Sequence, residues 1–258
     1  MKRIGYLLGI SGLILGLAAC GNNASDKDTS NNQNRDASSA KMQNSSSTKS
    51  TSSSSKDPQK KPHKDLTNYR YRVPAADRHS SNYTKNGNLT KTSQYTFDNF
   101  GTKQQLSKIN EQPTTLTDDN VVYKIVKAKV IKNTPKTAEA KQAVAQTLNL
   151  QSVPNQYYTF VINYTVTNKQ NATIALNGIN SVQTDQGNTL AVNNQLTDSS
   201  AGHHLTANET ETFTTVGYLQ DYRTKPTNKV TINFGAIYDL QGTQISPAPA
   251  QGLNVSLQ

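Results

Sequence analysis

Large apolar residues are spread unevenly along this chain of 258 residues. A continuous apolar run from Ile4 to Ala19 gives way to Gly21–Lys64, which contains no Val, Ile, Leu, Phe, Tyr or Trp. Apolar residues return as islands between Asp65 and Asp118, and only from Val121 do they fall into regular periods. Val121 to Lys132 alternates, with Val122, Lys124, Val126, Ala128 and Val130 on one side and Tyr123, Ile125, Lys127, Lys129 and Ile131 on the other. This predicts a strand. Thr134-Pro135 then opens a short helical stretch in which Ala140, Val144 and Leu148 recur every four residues. The clearest strand follows: Tyr158, Phe160, Ile162, Tyr164 and Val166 share one face, and Thr159, Asn163, Thr165 and Thr167 occupy most of the other.

Short strands bounded by turns complete the pattern. Asn168–Asn171 turns into Thr173 to Leu176, and Ile179 to Thr184 leads through Asp185-Gln186-Gly187-Asn188 to Thr189 to Val192. Ala207-Asn208-Glu209 turns into Thr210 to Leu219, and Val230 to Ile237 is expected to pair, through Asp239-Leu240-Gln241-Gly242, with Thr243 to Ile245. Strands at this spacing, with one short helical insertion, predict an all-β antiparallel sandwich over residues 119–258. A module of that size buries enough surface for one core. Residues 65–118 carry aromatic islands at Tyr69-Arg70-Tyr71-Arg72 and Tyr95–Phe100 but no clear period. They read as a partly ordered extension that packs Tyr95, Phe97 and Phe100 on the later domain. Tyr alternating with Arg suits stacking on bases or sugars, but a solvated, half-ordered segment is the preferred reading.

The ends of the apolar run identify it. Lys2 and Arg3 precede it, and sixteen residues would make a helix of about 24 Å, short of a bilayer core of roughly 30 Å. Residues 1–19 are therefore expected to be a cleaved signal peptide. The run closes on Leu17-Ala18-Ala19-Cys20, which resembles the lipobox of bacterial lipoproteins. That resemblance implies a thioether-linked diacylglycerol on Cys20, which becomes the first residue of the mature chain. Two acyl chains hold a protein where one holds it only marginally. Residues 20–64 then form a tether with nothing to bury, expected to be disordered and to span roughly 35 to 40 Å end to end. The location implied is the extracellular face of the cell membrane. With no second cysteine in an exported chain, a Gram-positive host is expected.

Composition narrows the chemistry. A single cysteine excludes an intramolecular disulfide framework and a cysteine-based zinc cluster. The formal charge of +10 divides into +2 in the signal, +4 in Gly21–Lys64 and +4 in the remainder, of which only +2 falls from Asp119 onward. Nucleic-acid binders concentrate positive charge on the folded module, so no nucleic-acid partner is expected. The basic tether suits either contact with anionic lipid and wall polymers or plain solubility.

Ser46-x-x-Lys49 and Ser53-x-x-Lys56 match a catalytic string of penicillin-recognising enzymes, but neither has the Ser-Asp-Asn and Lys-Thr-Gly partners that string requires. His203 and His204 are adjacent and would diverge on a strand, so no metal site is expected from them. Glu209, Glu211, Asp221 and Asp239 are the acids from which a wall-polymer enzyme would draw. No catalytic residue and no cofactor is assigned. Tyr222, Arg223 and Lys225, in the loop before the last hairpin, are the candidate contact surface, since Tyr and Arg anchor interfaces.

The strand Tyr158–Asn168, the Thr184–Asn188 turn and the segment Leu205-x-Ala207-Asn208-Glu209-Thr210 together resemble an Ig-like family of bacterial surface lipoprotein domains of unknown function, related in fold to the mycobacterial immunoprotective extracellular antigen. Ala207-Asn208 stands where that family has Pro-Gly. The resemblance covers about 135 residues from Tyr123 and implies a non-enzymatic binding module, with the membrane as one partner through Cys20 and a protein, peptide or wall polymer as the other. Two alternatives stand beside it: an enzyme acting on the wall, and a peptide pheromone released from Leu13–Ala19.

Overall fold

The computed structural model describes residues 65–258. The expected signal peptide, Cys20 and the tether lie outside the described residues. A four-residue helix, α1 (Ala75–Arg78), precedes β1 (Tyr95–Phe97), β2 (Thr102–Asn110) and β3 (Thr114–Asp118). Then come β4 (Val121–Pro135), α2 (Ala138–Thr147) and β5 (Tyr157–Asn168). Shorter strands follow: β6 (Ile174–Leu176), β7 (Ile179–Thr184), β8 (Thr189–Val192), β9 (Gln195–Asp198) and β10 (His204–Leu205). The chain ends with β11 (Thr210–Leu219), β12 (Lys229–Phe234), β13 (Ile237–Tyr238), β14 (Gln244–Ser246) and β15 (Leu253–Ser256).

The fold is all-β and sandwich-like. An eleven-stranded sheet runs β1-β2-β4-β5-β11-β9-β8-β7-β12-β15, with β3 also on β4, and a second sheet of four strands runs β10-β6-β13-β14. The β8–β9 pair is parallel, and the other strand pairs are antiparallel. The long sheet curls until β15 reaches β3 and β4, where the Asn110 amide donates to the Ser256 carbonyl at 3.2 Å. Between the two halves lies the main core, centred on Phe160, Ile162, Tyr164, Leu196, Val230 and Ile232. The Tyr123 ring of β4 stacks on Phe234 of β12 with centroids 4.0 Å apart, which ties the halves together.

β5 has the predicted face. Its inward residues Phe160, Ile162 and Tyr164 are fully buried. β4 departs from a single alternation. Val126 is an extra residue between the pairs Ile125–Tyr164 and Lys127–Asn163, so the strand carries a bulge. Before it Val121, Tyr123 and Ile125 face the core; after it Ala128 and Val130 do, and Val126 is left exposed. Ile131 turns to the opposite side, where it meets Leu106 and Leu89 in a second, smaller core with Ile109 and Val161 against it.

The helix starts later than Thr134-Pro135 predicts, because β4 continues through Pro135. Thr137 caps it: its hydroxyl accepts from the Ala140 amide at 2.9 Å and donates to the Phe100 carbonyl at 2.7 Å. The segment Val230–Ile237 is also not one strand. β12 pairs with β7 and β15 in the long sheet, Gly235-Ala236 break the extension, and Ile237 continues in the small sheet opposite β14. The Thr206–Glu209 turn forms with Asn208 in the left-handed conformation at φ +59°, the position a glycine would otherwise supply.

Residues 95–118 supply three strands of the long sheet. β2 lies along the second half of β4 and β3 along its first half. The division expected at residues 118 and 119 therefore falls inside the β3–β4 hairpin.

Candidate functional site

The predicted contact loop is divided by its own turn. Asp221 sits at φ +52°, and its carbonyl accepts from the Thr224 and Lys225 amides, both at 2.9 Å. This turn sends Tyr222 inward: its ring packs on Tyr158 at 4.7 Å, and its buried hydroxyl has no hydrogen-bond partner. Arg223 and Lys225 stay exposed. The three residues do not share one surface.

Three of the acids and one of the histidines make local contacts. His203 Nε2 lies 2.8 Å from Glu211 Oε2, with the imidazole edge on Phe213. Glu209 Oε2 accepts from the Thr206 hydroxyl at 2.8 Å and its amide at 2.7 Å, bonds that hold the carboxyl below its ordinary range. Asp239 caps its own hairpin turn through the Gln241 and Thr243 amides. No group of three or more metal-ligating residues occurs among the described residues.

A polar knot holds β5, β7 and the end of β9 together. Tyr164 Oη lies 2.7 Å from Asp198 Oδ1 and 2.8 Å from Ser200 Oγ. Ser200 Oγ donates to Asp198 Oδ2 at 2.8 Å, and the Ile179 amide donates to the same oxygen at 2.9 Å. Burial, with the Asp198 charge second, pushes the Tyr164 phenol well above its ordinary value. The knot lies at the border of the core, with Tyr164 and Ser200 buried and Asp198 partly so, and ties three chain segments together.

The surface with the most distinctive chemistry is one the periodicity does not reveal. Residues 65–100 fold into a layer at the β1 edge, organised by aromatic rings. Tyr71 lies 5.3 Å from Phe97, Tyr83 lies 5.9 Å from Tyr95, and Tyr69 stacks on Phe100 at 6.4 Å. Gly101, at φ +97°, lets the backbone pass under the Tyr71 ring; a Cβ there would lie 2.7 Å from it. Lys103 Nζ sits 3.4 Å above the centre of Tyr95 and 3.5 Å from Asp77 Oδ1, which also accepts from Tyr95 Oη at 3.0 Å. Asp98 turns inward to accept from the Phe100 amide at 2.9 Å and the Thr102 amide at 2.8 Å. Burial nevertheless raises its carboxyl above the ordinary value.

Outside this ring cluster is a groove of about 500 Å³ lined by Val73, Arg78, Tyr83 and Lys85. Arg78 and Lys85 are exposed and form no ion pair among the described residues, since the nearby Asp77 is engaged by Lys103. Residues 65–110 hold seven Lys and Arg against three Asp, a net +4, whereas residues 111–258 hold ten of each sign. The whole excess charge of the described chain therefore lies in this layer and its first two strands. A second groove, about 510 Å³, lies on the outer sheet face around Lys124, Val126, Thr165 and Thr167. There Glu111 is paired with Lys127 at 2.7 Å.

No family model and no curated protein matches the chain. The X-ray structure of Northeast Structural Genomics Consortium target SoR45 is similar to it at 12% identity, over 54% of this chain and 87% of that one, with a TM-score of 0.30. A likeness that slight carries no argument about fold or function.

Proposed function

We propose that this chain is a lipid-anchored surface lipoprotein, held by diacylglycerol on Cys20, whose Ig-like sandwich is a non-enzymatic module that binds a protein, peptide or wall polymer outside the cell. The observation that carries this reading is the position of the only cysteine. It directly follows Leu17-Ala18-Ala19 at the end of an apolar run too short to span a bilayer, and it precedes 44 residues with no large aliphatic or aromatic side chain other than Met42. The binding half is supported by the groove beside Tyr83, where two unpaired cations are held open to solvent.

Intact mass spectrometry of the native protein is expected to show loss of residues 1–19 and a diacylglyceryl adduct on Cys20. Cys20→Ala is expected to release the chain into the medium or leave it unprocessed. A free thiol on an uncut precursor, or normal processing and envelope retention of Cys20→Ala, would end this reading.

A further inference from the structure

We infer that the groove formed by Val73, Arg78, Tyr83 and Lys85 binds an anionic polymer of phosphodiester-linked polyol units, the chemistry of a wall glycopolymer. This deepens the binding reading above and rests on it.

The argument starts from what the groove offers. Its polar lining consists of a guanidinium, an ammonium and a phenol, all donors, and no carboxylate is among the lining residues. Arg78 and Lys85 are exposed and without ion pairs among the described residues. Like charges held together with no counter-charge repel, which an anionic ligand would relieve. The three acids of residues 65–110 are all engaged elsewhere: Asp65 by Thr67, Asp77 by Lys103 and Tyr95, and Asp98 by its own turn. A fork-shaped guanidinium suits the two free oxygens of a phosphodiester.

The rings beside the groove argue against a ligand that stacks. Tyr83, Tyr95 and Phe97 contact one another in tilted and edge-on pairs, and Lys103 covers a face of Tyr95. What remains is a half-exposed Tyr83 with a hydroxyl, and Val73 to meet methylene groups. That set fits a flexible chain of alternating phosphate and hydroxylated carbon better than a nucleic-acid base. The groove is also open, which admits a chain passing through rather than a small molecule enclosed.

The test uses the full acylated chain in neutral detergent, titrated with synthetic poly(glycerol phosphate). Parallel titrations use polyglutamate and vesicles of phosphatidylglycerol, which present the same charge as a carboxylate chain and as a lipid headgroup. The double variant Arg78→Gln with Lys85→Gln is expected to weaken binding of the phosphate polymer by roughly fivefold to tenfold, the effect of two exposed charge contacts. The charge-matched variant Lys169→Gln with Lys229→Gln is expected to bind as the wild type does, because those exposed cations lie outside the groove. Both pairs are exposed, and unchanged circular dichroism will confirm that the fold is kept. Equal binding by the Arg78/Lys85 variant overturns the assignment of the groove. Equal affinity for polyglutamate, or binding to vesicles alone, overturns the polymer. Either failure leaves the mass of Cys20 untouched, so the anchor reading stands or falls separately.

Discussion

The sharpest test of the core is the addition of one methyl group. Gly217 lies in the last third of β11, buried, with Phe160 of β5 directly across the pair and Leu196 of β9 on its other side. Its backbone is not left-handed; glycine is needed here for space alone. A Cβ at this position would overlap Cζ and Cε1 of the Phe160 ring and would lie 3.0 Å from Cε2. Ordinary carbon contacts are about 3.5 to 4.0 Å, so the ring would have to retreat by on the order of 1 Å. It has nowhere to go. Phe160 is wholly buried and faces Val130 on its other flank, in a core packed like a crystal.

Gly217→Ala is therefore expected near the upper end of overpacking costs, about 2 to 3 kcal/mol. For a chain of this size that lowers Tm by roughly 5 to 10 °C. Thermal unfolding followed by circular dichroism measures it. Adding Phe160→Leu to Gly217→Ala should recover at least about 1 kcal/mol, although Phe160→Leu alone destabilises; such a sign reversal is the mark of direct contact. Gly187→Ala gives the contrast. Gly187 has φ +84° and nothing within 4 Å of its added carbon, so only backbone strain of about 1 to 2 kcal/mol applies, with no rescue by any neighbour. A Gly217→Ala protein that melts within about 2 °C of wild type would refute the packing argument.

Three further outcomes follow from polar groups. Asp198→Ala strips the acceptor from Tyr164, Ser200 and the Ile179 amide, and should cost about 3 kcal/mol in urea unfolding with an unchanged m value; a loss below about 1 kcal/mol would mean the knot is not tying these segments together. Tyr222→Phe removes a buried hydroxyl that has no partner, so it should leave stability unchanged or raise it by up to about 1 kcal/mol, and a clear loss would contradict the inward placement. Tyr123, Tyr157 and Tyr164 all have phenols raised by burial, and each keeps its proton in the fold after the unfolded chain has released it. Their contribution is thus fully present below about pH 10 and is lost as pH rises above it, so ultraviolet titration should show part of the tyrosinate signal appearing only with unfolding. Smooth ionisation of all tyrosines near pH 10 in a still-folded protein would contradict this.

How much of this was legible depended on whether a local rule had one cause or two. From Phe160 to Asn168 β5 alternates cleanly because one face is buried in the main core and the other is only partly covered, so its pattern states its environment directly. β4 is as apolar, but two neighbours claim its opposite sides and a bulge at Val126 shifts the phase between them. No single period describes such a strand. The turns at Gly187 and Gly242 were readable because each has glycine at positive φ. The break at Gly235-Ala236 was not, since an apolar run looks the same whether it stays in one sheet or crosses to another. β2 was hidden for a third reason. It reads Thr-Lys-Gln-Gln-Leu-Ser-Lys-Ile-Asn, and only Thr102 and Leu106 in it are fully buried. Its place comes from the ladder it makes with β4, which is backbone chemistry and leaves little trace in side-chain polarity.

That hidden strand also changes where the excess charge of the described residues is seen to lie. From residue 119, where periodicity sharpens, the balance is only +2. Strand pairing joins β2 and β3 to β4 in one sheet, with the ring layer at its edge. Counted with that layer, the described chain is neutral from residue 111 and carries its net +4 in residues 65–110. The alternating Tyr69-Arg70-Tyr71-Arg72 lies in this basic segment, and its rings serve the fold: Tyr69 on Phe100 and Tyr71 on Phe97. An aromatic island beside basic residues can therefore mean that the rings build the scaffold and the cations meet the ligand. For this chain, mutating the rings should cost stability first, and mutating Arg78 and Lys85 should cost binding alone.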